Sequence, residues 1–168
     1  FIVASGLTLV FGLMDVLNFG HGVFLALGAY VAVSSFGAMA GYAASPSLAM
    51  NLVAVFAAIG IAMLAAGALG LAFERVVVKP VYGHHLKQIL ITMGGMIVGE
   101  ELIKLVWGPV PIALPLPETL RGSFVIGEAI VEKFRVLATV IGAVVFVVLA
   151  WVLARTKLGL LIRAGVEN

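Results

Sequence analysis

The chain has 168 residues, 63% of them hydrophobic, with a mean hydropathy of +1.24 and a net charge of only +2. So apolar a composition exceeds what a soluble core can hide, and 10 Lys+Arg set against 8 Asp+Glu leave no basic surface for nucleic acid. The absence of cysteine removes disulfides, thiolate metal sites and a cysteine nucleophile together.

In chain order, the sequence opens without methionine inside the apolar run FIVASGLTLVFGLM, which is expected to be the truncated remainder of a first membrane segment over residues 1–14. Four later stretches reach the roughly 17 to 25 apolar residues that a span requires. They are residues 23–44, 49–73, 88–107 and 136–154, the last without a single charge. The expected fold is therefore all-α: a polytopic transmembrane helix bundle of about five segments, the whole of 1–168 forming part of a larger membrane domain. Ser45-Pro46-Ser47 is a tight turn and makes an antiparallel hairpin of the first two complete spans.

Basic residues set the orientation. The segment 74–87 carries Arg75, Lys79 and Lys87, and the tail 155–168 carries Arg155, Lys157 and Arg163, so both are expected on the cytoplasmic side. Parity then puts the loop 108–135 outside, in the periplasm, where its opening GPVPIALPLP, with four prolines, should lie extended over the surface. Arg121, Lys133 and Arg135 in that loop are balanced by Glu118, Glu128 and Glu132. Trp107 and Trp151 fall at the expected outer and inner interfaces, and His84-His85 is read as part of a solvated loop.

Small residues recur every fourth position at Ala54, Ala58, Ala62, Ala66 and Gly70, a flat ridge on one helix face. In lipid, burying Leu against Leu gains little, so helices associate through such surfaces. Ordinary packing within the chain is the plainer use of the ridge, a dimer or moving interface the sharper one.

The most unusual stretch is Asp15-Val16-Leu17-Asn18-Phe19-Gly20-His21-Gly22, wedged between two apolar runs. Two glycines around a histidine, a carboxylate three residues before Asn18, and Asn18 as a capping residue are features of a helix break. Backbone exposed by a break must be buried in protein or face water, and the new helix N-terminus offers free N–H groups and a positive dipole to an anionic group of a solute. A short solvated turn accounts for the same residues equally well. His21 lacks partners at metal-ligand spacing, so no metal is expected, and nothing calls for a cofactor.

The run GLTLVFGLMDVLNFGHGVFLALGAYVA, residues 6–32, resembles the opening of the H-type permease subunits of bacterial branched-chain amino acid (Liv-type) ABC transporters. The likeness continues at Phe73-Glu74-Arg75 with Lys79-Pro80, Ile91-Thr92-Met93-Gly94, Trp107-Gly108-Pro109, and Thr156-Lys157-Leu158-Gly159 with Ile162-Arg163-Ala164. It runs in order along essentially the whole chain and breaks off at Asn168, about where the family's ATPase-coupling segment would begin.

The resemblance implies a multi-pass permease in the bacterial inner membrane that forms part of the pathway for leucine, isoleucine and valine. It would work with a second, M-type permease, two ATP-binding subunits and a periplasmic solute-binding protein. The chain has no G-x-x-x-x-G-K-[ST] loop, so ATP hydrolysis is expected in the partners and this subunit is expected to be non-catalytic. The pathway is expected to draw on Thr8, Asn18, Gly20, His21, Gly22, Thr92, Gly94, Gly95 and Glu100, with Arg155, Lys157 and Arg163 facing the ATPases.

Glu100-Glu101 departs from the family, in which these positions are commonly amide or neutral. The plainer reading places Glu100 about 18 Å up its helix, near the outer interface, paired with Lys104 four residues on; the alternative gives Glu100 or Glu101 to a substrate ammonium group. An importer of urea or short-chain amides is the nearest alternative function. A passive channel fits the composition, and an intramembrane protease using Ser5, His21 and Asp15 lacks a nucleophile elbow.

Overall fold

The computed structural model describes residues 2–6, 8, 18–157 and 159–160, and these divide between two compact units, Leu17–Arg121 and Phe1–Val16 with Gly122–Asn168. Asp15, Arg163 and much of the expected first span lie outside the described residues; residues 2–6 and 8 are helical.

In the unit Leu17–Arg121, α1 (His21–Ala38) is followed by the single turn α2 (Ala40–Ala43) and then by α3 (Leu48–Phe73). The break at Met39 interrupts what the sequence presents as one span over 23–44. At the Ser45–Ser47 turn, the Ser47 amide donates to Ser45 Oγ at 3.1 Å, and Pro46 cannot continue a helix. α3 carries a fully buried asparagine, Asn51. Its Nδ2 donates to the carbonyls of Tyr42, Ala43 and Ser45 at 2.8, 3.3 and 3.0 Å, while its Oδ1 accepts from the amide and hydroxyl of Thr119 at 2.9 and 2.7 Å. One side chain thus ties the α2–α3 corner to the end of the proline-rich segment, where Pro117 and Leu120 are also buried.

α3 does not stop at Phe73. It widens into a π-helical turn, Glu74–Val78, and tightens into a 3-10 turn, Lys79–Val81, so that helix runs without interruption from Leu48 to Val81. The loop expected over 74–87 shrinks accordingly to Tyr82–His84, because Lys79-Pro80 sits early in a 3-10 turn, where proline's missing N–H is harmless. The Tyr82 hydroxyl donates to Glu74 Oε1 at 2.7 Å across the widened turn; burial first, and that hydrogen bond second, raise its pKa above the usual tyrosine value. α4 (His85–Trp107) ends at Gly108, whose φ of +88° is a left-handed conformation that suits glycine, with Pro109 next.

In the other unit, β1 (Ser123–Ile126) pairs antiparallel with β2 (Ala129–Glu132) around a Gly127-Glu128 turn, Gly127 having φ +63°. β2 runs straight into α5 (Lys133–Arg155). The strands are an addition to the expected all-α architecture: the segment read as an irregular polar loop over 108–135 contains a hairpin and the first turn of α5.

Helices α1, α3 with its extension to Val81, and α5 are long and apolar enough to cross a membrane. α4 has 23 residues but carries Glu100, Glu101 and Lys104 in its second half.

Candidate functional site

The described chain reaches α1 through a turn. Asn18 precedes it, Phe19 and Gly20 form it, and the helix begins at His21. Asn18 does not cap the helix as expected, because its Oδ1 accepts from the Gly20 amide at 3.0 Å, one residue before the helix starts. The helix amides are also less free than a bare N-terminus would leave them. His21 N donates to the Asn18 carbonyl at 3.3 Å, and Val23 N and Phe24 N donate to the Gly20 carbonyl at 3.1 and 3.4 Å.

What fixes this turn comes from α4. The Phe19 amide donates to Thr92 Oγ1 at 3.4 Å, and Thr92, fully buried, donates in turn to the Gln88 carbonyl one helical turn back at 2.7 Å. Thr92 therefore serves both as a back-bonded helix residue and as the anchor of a neighbouring helix start. Gln88 is 2% exposed; its Nε2 donates to the Val81 carbonyl at 3.2 Å, holding the 3-10 turn. Among the described residues of this unit, two buried side-chain polar atoms have no hydrogen-bond partner, His21 Nε2 and Gln88 Oε1. Such atoms are costly inside protein and rare enough to need an explanation.

Beside the turn lies an open-sided cavity of about 820 Å³, walled almost entirely by apolar groups from α1, the end of α3 with its π turn, and α4, with Leu69, Val76, Leu90, Val98 and Leu102 largely exposed along it. Gly20 belongs to both the turn and the cavity wall, and Gly94, Gly95 and Gly99 line the α4 side. The packing at its edge depends on missing side chains. A Cβ on Gly95 would stand 2.5 Å from the Phe73 ring, and one on Gly99 would stand 2.5 Å from Val23 Cγ1. The Phe73 ring meets Phe24 edge-on, centroids 5.5 Å apart. A Cβ on Gly20 would come within 3.1 Å of Asn18 Oδ1.

Of the pathway residues expected from sequence, Asn18, Gly20 and Thr92 are thus brought together, with His21 opening the adjoining helix and Gly94 and Gly95 in the same cavity wall. Gly22 is exposed, with open space where a Cβ would be. Thr8 belongs to the other unit, donates to the Ala4 carbonyl at 2.9 Å, and lines a smaller cavity of about 410 Å³ together with Phe146 and Leu149. Ser5 donates to the Ile2 carbonyl at 2.9 Å. Glu100 is exposed, and the expected Glu100–Lys104 pair is replaced by Glu101–Lys104 at 2.6 Å, the spacing of three rather than four. Arg155 and Lys157 are exposed at the end of α5.

Along the small-residue ridge, Ala54, Ala58 and Ala62 are buried, while Ala66 and Gly70 are half-buried. A Cβ on Gly28 of α1 would lie 3.8 Å from that of Ala66, so α1 packs closely on the ridge there. Sequence reading passed over Asn51, Gln88, and the bond from Trp107 Nε1 to Ser34 Oγ at 2.7 Å that fastens the end of α4 to α1 beside Tyr30. Asn51 had a signal: it is a lone amide inside an apolar run, and polar residues at membrane depth need partners.

The model of the family described as branched-chain amino acid transport system / permease component matches residues 1–168. The chain is 27% identical over 173 residues to the high-affinity branched-chain amino acid transport system permease protein BraD of Pseudomonas aeruginosa, covering 99% of this chain and 54% of BraD. To the LivH permease protein of Salmonella typhimurium it is 30% identical over 148 residues, covering 88% of this chain and 46% of LivH, and to that of Escherichia coli 29% identical over 148 residues. It thus spans about half the length of these relatives. No solved structure matches it significantly. The ordered likeness along the whole chain and the apolar helices agree on a multi-pass membrane protein: the chain belongs to the branched-chain amino acid transport system permease family.

Proposed function

We propose that this chain is part of the permease subunit of an ABC importer of leucine, isoleucine and valine, in a bacterial inner membrane, and that the helix start at Asn18–Gly22 borders the solute's path. The full permease pairs with a second, M-type permease. Two ATP-binding subunits dock on the cytoplasmic side, near Arg155, Lys157 and Arg163, and supply the energy, and a periplasmic solute-binding protein delivers the solute. Segments 74–87 and 155–168 face the cytoplasm and 108–135 the periplasm, as the distribution of basic residues favours.

The observation that carries this reading is that one residue, Gly20, belongs both to the turn that opens α1 and to the wall of a large, open-sided apolar cavity. An aliphatic amino acid needs both kinds of surface at once. The branched side chain loses nothing in leaving water for apolar walls, while its charged groups need polar atoms to replace hydration. Among the described residues, the buried side-chain polar atoms without a partner are His21 Nε2, in the first residue of α1, and Gln88 Oε1, in α4; both lie outside the cavity's own lining. Urea has no apolar part to repay the desolvation of such a cavity, so the lining favours the branched-chain amino acids over the amide alternative. Gly95 against Phe73 and Gly99 against Val23 are the contacts on which α4 rocks past its neighbours as access alternates.

The test is uptake by the full-length permease reconstituted with its partner subunits. Radiolabelled leucine is expected to accumulate with ATP, unlabelled isoleucine and valine to compete, and urea to do neither. ATP-dependent urea uptake without leucine uptake would overturn the assignment.

A further inference from the structure

We propose that the β1–β2 hairpin lies flat in the boundary between headgroups and acyl chains, with the face bearing Val125 and Ile130 turned to lipid. A two-stranded hairpin alone is marginal in water and needs something against its apolar side. Here the register pairs Val125 with Ile130 on one face and Phe124 with Val131 on the other. The second face is partly covered from within, Lys133 Nζ standing 5.6 Å from the centre of the Phe124 ring. The first is bare, with Val125 72% and Ile130 74% exposed.

Chain continuity says what covers that face. β2 ends at Glu132 and α5 begins at Lys133, with no linker between them. α5 has 23 residues and no buried one, and at about 1.5 Å per residue it spans about 35 Å, slightly more than the roughly 30 Å hydrocarbon layer. Its first turn therefore emerges at the headgroups, where Lys133 and Arg135 belong. A hairpin attached there, with strands only about 13 Å long, extends the lipid-facing surface of α5 sideways along the interface. The same face also carries Ser123 and Glu132 at the open end of the hairpin, next to the start of α5 at the headgroups, where Glu132 is paired with Arg135 at 2.8 Å; Glu128 in the turn keeps the tip from plunging.

The test uses the full-length permease in its complex, in nanodiscs of phosphatidylethanolamine and phosphatidylglycerol. Nitroxide labels are placed singly on V125C, I130C and E128C, and collision with oxygen is compared with collision with a water-soluble nickel chelate. Oxygen is expected to dominate at 125 and 130, and nickel at 128. Nickel dominance at 125 and 130 would place that face in water, and exclusion of both reagents would place it against protein; either result overturns the proposal.

Discussion

Asn51, Gln88 and Thr92 are the buried polar side chains among the described residues; Asn51 and Thr92 join segments distant in sequence, while Gln88 ties α4 to the 3-10 turn just before it. Asn51 is fully engaged, so Asn51→Leu leaves three carbonyls and the Thr119 amide short of a partner. At about 1–3 kcal/mol for each buried group left unsatisfied, the expected result is a Tm in detergent lowered by several degrees and faster proteolysis at Arg121. Thr92→Val keeps shape but removes the acceptor of the Phe19 amide. It is expected to reduce leucine uptake severalfold while assembly with the partner subunits, read by co-purification, stays normal. The acidic pair behaves differently. Glu101 and Lys104 are both exposed, and such pairs contribute no more than about 1 kcal/mol. Glu101→Gln and Glu100→Gln are therefore expected to leave uptake nearly unchanged; a large loss from Glu100→Gln would place that carboxylate in the path.

At the scale of elements, close approach sets the behaviour of α4. Even Gly95→Ala or Gly99→Ala forces Phe73 or Val23 to shift, whereas Gly94→Ala meets open space. Uptake is expected to fall for the first two and to hold for the third. The apolar runs that make α1, α3 and α5 were legible in sequence because length and hydropathy alone define them, and the turn that opens α1 was legible because an asparagine and glycines interrupt the apolar pattern there. The continuation of α3 to Val81 was not, since Arg75, Lys79 and Pro80 look like loop chemistry while a π turn and a 3-10 turn accommodate them. Nor was the hairpin, whose strands SFVI and AIVE are only four residues each and show no polar–apolar alternation. The partner of Lys104 was misassigned because Glu100 and Glu101 both lie within reach of it on a helix, and side-chain rotamers choose between them. Tertiary partners such as Thr92 for Phe19 lie 73 residues apart, and no local pattern encodes them.

At the scale of the molecule, a polytopic chain is an economical way to hold a few polar atoms where lipid is excluded, and this one spends its small residues on letting helices approach around them. The central claim is that solute passes the helix start at Asn18–Gly22. The most direct measurement places a lone cysteine at His21 in the full-length permease, assembled with its partners in proteoliposomes, and modifies it with a membrane-impermeant thiol reagent. Modification is expected to abolish leucine uptake, and saturating leucine to slow the modification at least severalfold. Full uptake after complete modification would contradict the account.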